Sequence, residues 1–175
     1  MENITAAKEK FGALIEAQKK RVAAMRAQGD FVDYAALPQI VIGVCGGDGI
    51  GPEVVEEGLR VLRHIEKADG TFSFQVTSFP WGCEYYLKTG RMMPEDGMEQ
   101  LKHFDAIYLG AVGAPGVPDH VSLWDLLLKI RKGFDQYVNL RPVKLLKGAP
   151  CPLKDVKRED IDMIVVRENS EGEYA

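Results

Sequence analysis

Three arginines, Arg131, Arg141 and Arg167, are placed where they could grip a small anion. Arg141 lies in an apolar, β-leaning run over 134–146 (FDQYVNLRPVKLL), where burying an unpaired guanidinium would cost on the order of several kcal/mol. Either an anion meets it there, or the run is an edge strand whose arginine reaches water, which Pro142 would suit because it cannot donate to a ladder. Arg131 closes a helix expected around 123–129, and Arg167 ends a second apolar strand expected over 161–166. All three therefore fall at element ends, where ligands are commonly bound. The planar fork of arginine matches a carboxylate bidentately, so three converging forks would hold a di- or tricarboxylate and reject neutral analogues.

Elements must position those forks, and the order of signals along the chain is strand, glycine loop, helix, repeated. A β-branched run over 39–44 leads into Gly46-Gly47-Asp48-Gly49-Ile50-Gly51-Pro52-Glu53 and then into a helix carrying Val54, Val55, Leu59, Val61, Leu62 and Ile65. Pro52 suits the first helical turn, and Glu53 suits the positive end of the helix dipole. The loop lacks the third glycine of GxGxxG and the GK[ST] ending of a P-loop, so taken alone it reads as a tight turn needing positive φ. Further along, 71–79 reads as strand, 82–89 and 94–102 as helix, 105–109 as strand, 110–118 as a Gly/Pro loop, and 122–132 as helix. That alternation predicts an α/β fold with a parallel-type sheet and flanking helices.

Residues 3–28 carry apolar side chains at three- and four-residue spacing and predict a separate helix, followed by a linker over 30–38. Its Lys and Arg residues raise the reading of a membrane-surface helix or transit peptide. Glu2, Glu9 and Glu16 weigh against both, leaving an add-on helix that packs on the domain or on a neighbouring subunit. The 175 residues carry a net charge of −4, which gives no general attraction to phosphate backbones, and no nucleic-acid-reading motif is present. Cys45, Cys83 and Cys151 are three widely spaced thiols without a CxxC pair, as in a reducing, cytoplasmic protein. No apolar run approaches the roughly 20 residues of a membrane helix, so no membrane partner is expected.

Taken together, GDGIGPEV, GAVGAP, NLRP and VRENSEGEY resemble the β-decarboxylating dehydrogenases of isopropylmalate, isocitrate, homoisocitrate, tartrate and D-malate. FPWGCEYYLKTGRMMPEDG, FDAIYLGAVGAPGVPDHVSLWDLL and GFDQYVNLRP are most similar to the tartrate dehydrogenase/decarboxylase branch. The resemblance runs from residue 40 to 175 and leaves out the N-terminal helix. It implies an isopropylmalate-dehydrogenase-like fold, incomplete at the C-terminus. The implied division is a helical extension over 1–38, the first part of a large cofactor-side domain over 39–135, and the start of a substrate and dimerisation domain over 136–175.

The same resemblance implies oxidation and decarboxylation of a small hydroxy-dicarboxylate with NAD and Mg2+ or Mn2+, by a homodimer or with a complementary C-terminal segment. Arg131, Arg141 and Arg167 correspond to the arginines on the substrate carboxylates, and Tyr174 to the tyrosine that reprotonates the product carbanion. Asp48, Gly49, Ile50, Gly51 and Glu53 correspond to the loop beside the nicotinamide, with Trp124 assigned to the cofactor side. Asp125 and Leu127 fall on the helix that governs substrate choice, and Trp124 stands where an isopropylmalate enzyme carries glutamate. The metal-binding aspartates, the general-base lysine and the adenosine loop have no counterpart here, so the chain is expected to supply about half an active site and to be inactive alone. The competing expectation is a non-catalytic remnant or binding subunit.

Overall fold

The computed structural model describes residues 2–27 and 33–169. The chain divides into two compact units, 1–37 and 38–175. The first holds one long helix, α1 (Glu2–Ala27), and a short 3-10 turn over Tyr34–Ala36 capped by the Asp33 carboxylate, which accepts from the Ala35 amide at 3.1 Å.

The second unit is built on a parallel sheet of β1 (Gln39–Cys45), β2 (Ser73–Phe79) and β3 (Ala106–Leu109), in the order β2-β1-β3. Register pairs Ile42 with Val76 on one side and with Ala106 on the other. Alternation along β1 sends its side chains to two cores. Ile42 and Val44 pack with Val55 and Leu59 of α2 (Gly51–Asp69), whose C-terminus stops at Gly70 with φ 73. Cys45 packs on the opposite face with Trp81, Cys83, Met92, Met93, Leu101, Leu126 and Ile130. That second cover comes from α3 (Cys83–Thr89), α4 (Gly97–Leu101) and a helical stretch that runs through α5 (Asp119–Ser122), a π turn (Leu123–Leu127) and α6 (Leu128–Gly133). Phe79 stacks on Trp81 with centroids 4.2 Å apart and meets Phe104 edge-on at 5.5 Å. The α/β class and the sheet with helices on both faces agree with the sequence reading.

Local boundaries differ in three places. The helix expected over 94–102 shortens to α4, because the Pro94 carbonyl closes a turn onto the Gly97 amide at 3.0 Å before the helix starts. The helix expected over 122–132 begins earlier, at Asp119, and carries the π turn in its middle. The extended run expected over 134–146 narrows to β4 (Val138–Lys144). Asp135 takes φ 50, and the Gln136 amide donates to the Arg131 carbonyl at 2.9 Å, so the residues after α6 reverse direction before any strand can form. β4 pairs antiparallel with β5 (Asp162–Glu168) in a two-stranded ribbon separate from the parallel sheet.

Candidate active site

In a parallel sheet, ligands are bound outside the carboxyl ends of the strands, at the point where the strand order reverses. Here the chain passes from β1 to β2 on one side and then crosses to β3 on the other, so that point lies between β1 and β3. The two glycine-rich loops that leave these strands are bonded to each other. The Asp48 amide donates to the Ala111 carbonyl at 2.7 Å, and the Gly110 amide donates to the Cys45 carbonyl at 2.8 Å. The approach requires glycine, because a Cβ on Gly47 (φ 73) would collide with the Ala111 carbonyl oxygen and one on Gly110 with the Gly46 carbonyl oxygen.

Asp48 holds the arrangement from inside. It is nearly buried, and its carboxylate accepts from the Cys83 amide at 2.8 Å and from the Gly113 amide at 3.0 Å. One side chain thus ties the loop after β1 to the start of α3 and to the loop after β3. Two charge-assisted bonds in a site shielded from water are stronger than neutral ones. The thiols beneath are strongly shifted: burial pushes Cys45 up to about 11, and Cys83 also rises to about 11, through burial and then its contact with the Asp48 carboxylate. Cys45 donates to the Trp81 carbonyl at 3.1 Å. Both thiols are therefore protonated packing groups at neutral pH, with no nucleophilic character.

The remaining loop residues assigned to the cofactor lie at the α2 entrance. Ile50 is 65% exposed and precedes α2 without a side-chain cap, while Gly51, Pro52 and Glu53 open the helix. Glu53 puts a carboxylate in the first turn, where a pyrophosphate would otherwise be stabilised by the dipole. This entrance suits a neutral or cationic ring better than a phosphate.

The second group of candidate residues surrounds a cleft of about 430 Å3 between the end of β3 and the helical stretch. Its lining includes Gly110, Ala111, Leu127, Arg131 and Gln136. The π turn and α6 turn Leu126 and Ile130 into the core and leave Leu127 and Arg131 half-buried in this cleft. Trp124 and Asp125 lie on the exposed side, and the Lys132 ammonium sits 4.8 Å from the Trp124 ring centroid.

Arg141 and Arg167 belong to the ribbon. Asn139 faces Arg167 and Arg141 faces Val165, so alternation puts Asn139, Arg141 and Arg167 on one face, with the two arginines diagonal neighbours. Arg141 is exposed, so no other part of the described chain covers its guanidinium.

A run of polar contacts links the ribbon to the cleft. The Arg141 Nε donates to Asn139 Oδ1 at 3.3 Å, and Asn139 Nδ2 donates to Asn169 Oδ1 at 3.5 Å. Asn169 Nδ2 donates in turn to the Gln136 carbonyl at 3.4 Å, and Gln136 is bonded through its amide to the Arg131 carbonyl. Asn169 is 3% exposed. Asn139, Asn169 and Gln136 were not singled out from sequence. The available signal was the place of Asn139 and Asn169 inside the NLRP and VREN motifs, beside Arg141 and Arg167; Gln136, three residues before NLRP, had none.

Tyr174 lies outside the described residues. Among the described residues no three His, Cys, Asp or Glu side chains gather so as to hold a metal ion, so the donor set for a divalent cation is not found in this part of the chain.

Residues 41–175 match the family model of isocitrate/isopropylmalate dehydrogenase. A probable tartrate dehydrogenase/decarboxylase of Agrobacterium vitis is 59% identical over 128 residues, covering 73% of this chain and 36% of that protein. The decarboxylating D-malate dehydrogenase of Escherichia coli strain K12 is 58% identical over 131 residues, covering 74% and 36%. The chain thus spans about a third of the length of the curated relatives it matches. Among solved structures, a β-decarboxylating dehydrogenase of Thermococcus kodakarensis superposes with a TM-score of 0.55 at 29% identity, covering 76% of this chain and 35% of that one. From β1 onward, this chain belongs to the isocitrate/isopropylmalate dehydrogenase family.

Proposed function

We propose that this chain supplies the N-terminal part of the active site of an NAD-dependent, divalent-metal-dependent dehydrogenase. Its substrate is an (R)-malate-type hydroxy acid such as tartrate, D-malate or 3-isopropylmalate. The observation that carries this reading is the polar run joining Arg131, at the switch-point cleft, to Asn139 and Arg141, with Arg167 beside them on the ribbon face. Identity near 58% to a D-malate dehydrogenase and to a tartrate dehydrogenase/decarboxylase supports the substrate class.

In this reading the three guanidiniums hold the two carboxylates of the substrate, and the half-buried Leu127 packs against its carbon skeleton. Ile50 and its neighbours in the loop of Asp48, Gly49, Gly51 and Glu53 border the nicotinamide, with Trp124 at the margin and Asp125 beside it on the substrate side. Beside that loop, bound NAD would supply the acceptor for the C2 hydride. Tyr174 is the group of this chain that would return a proton to C3 once the β-carboxylate is lost as CO2. No described residue is assigned as proton acceptor for the hydroxyl or as a ligand of the cation, and the chain acts as a homodimer or with a complementary C-terminal segment.

The test is steady-state kinetics on D-malate and tartrate after mixing the 175-residue chain with the C-terminal part of a tartrate dehydrogenase/decarboxylase. Arg141→Lys keeps the charge and loses the fork, so kcat/KM falls by about two to three decades, whereas Lys144→Arg changes it little. Near-unchanged rates for Arg141→Lys, or turnover by the chain alone, would overturn the assignment.

A further inference from the structure

The N-terminal helix lies outside the matched family region and plays no part in the reading above. Helix α1 is continuous over 26 residues, so each side chain advances about 100° around the axis and the phase holds from end to end. Ile4, Phe11, Leu14, Ile15 and Val22 then fall within an arc of roughly 100°, interrupted by one polar residue, Gln18. All five are exposed, Phe11 by 66% and Ile4 by 63%. Lys8 and Lys19 border this stripe on one side and Lys10 and Arg21 on the other, while Glu9 and Glu16 project from the opposite side of the helix.

Glu9 and Glu16, which weigh against a membrane-surface helix in the linear sequence, therefore lie away from the face in question. Charge is also segregated along the chain. Six basic and three acidic residues give the helix +3, which leaves −7 for the rest of a chain of net −4. The Lys19 ammonium meets the Glu16 carboxylate at 2.6 Å, but both groups are well exposed, and an ion pair of that kind restrains lysine only weakly.

We propose that α1 docks on an anionic lipid surface, its apolar stripe entering the headgroup boundary and its flanking lysines meeting lipid phosphates. An apolar arc bordered on both sides by basic residues suits that surface, because long lysine stems lie along the apolar layer while the ammonium groups stay among the headgroups. Two copies of α1 pairing through the same stripe would instead bring basic flank against basic flank.

The experiment is co-sedimentation of the full chain with vesicles of phosphatidylcholine mixed with phosphatidylglycerol, and with phosphatidylcholine alone. Expected is binding to the mixed vesicles that weakens as salt rises and is at least about tenfold weaker on neutral ones. Phe11→Asp should abolish it, Lys10→Glu with Lys19→Glu should reduce it by about tenfold or more, and Glu9→Gln on the far side should leave it intact. Circular dichroism on each variant reports whether the rest of the chain keeps its structure. Absence of binding, or equal binding to neutral vesicles, overturns the proposal. So does a lipid-free, concentration-dependent dimer that Phe11→Asp dissolves, which would assign the stripe to contact between copies.

Discussion

The carboxyl end of the parallel sheet and the β4–β5 ribbon carry the two groups of candidate residues, and they are built in opposite ways. At the sheet end two loops touch through backbone atoms, Asp48 is nearly sealed in, and both faces of β1 are covered. On the ribbon, Val138, Leu140, Ile164 and Val166 share one face and are each at least 60% exposed, and Arg141 stands in water on the other. A two-stranded ribbon gains little from its own apolar residues, because neither face is removed from solvent. The glycine-rich loops are thus fixed by this chain's own packing, whereas Arg141 and Arg167 ride on an element that only an added layer would hold rigid.

The comparison is broken most severely at Gly47. Gly47→Ala drives a methyl group into the Ala111 carbonyl at a positive φ, and a loss of roughly 3 kcal/mol or more is expected in urea denaturation. A cost under about 1 kcal/mol would mean that the two loops are not locked together. Next comes Asp48→Ala, which leaves the buried Cys83 amide and the more exposed Gly113 amide without their acceptor and should cost roughly 1–3 kcal/mol.

Alkaline pH tests the same region through its thiols. Cys45 and Cys83 titrate near 11 when folded against 9.0 for a free thiol, so the unfolded chain loses its protons first. Their contribution is fully present below pH about 9 and disappears as pH rises toward 11, by about 3 kcal/mol for each thiol at most. Cys45→Ser should flatten part of that slope. Iodoacetamide at neutral pH should label the half-buried Cys151 well before the two buried thiols.

The smallest effect is expected on the ribbon. Leu140→Thr and Ile164→Thr should each move stability by under about 0.5 kcal/mol, since both side chains are already about 60% exposed. Losses above about 2 kcal/mol would show that in solution this face is covered and that the contrast between the two regions is false.

Much of this was legible in order along the chain. Period-two and period-3.6 spacing gave the strands and the α2 helix, and Pro52 and Gly70 marked that helix's ends, because these are interactions between near neighbours. Residue type and position at element ends picked out the three candidate arginines, and the motif resemblance located the family and added Trp124 and Leu127. The reversal at Asp135 and the π turn over Leu123–Leu127 carried no comparable local signal; the first moved an expected boundary and the second changed the middle of an expected helix.

What only the tertiary structure decided is which polar groups meet. Asp48 reads as one more loop residue until Cys83, 35 positions on, and Gly113, 65 positions on, bring their amides to its carboxylate. Asn139 and Asn169 stand 30 positions apart and meet only because the ribbon register sets Asn139 opposite Arg167. Even the surroundings of Arg141 reversed from apparently apolar to solvated, because apolar neighbours along a strand bury a side chain only when another layer packs against them. Sequence determined the residues that could do the chemistry and the local elements that carry them. Their partners followed from long-range register and close backbone approach, which no linear spacing encodes.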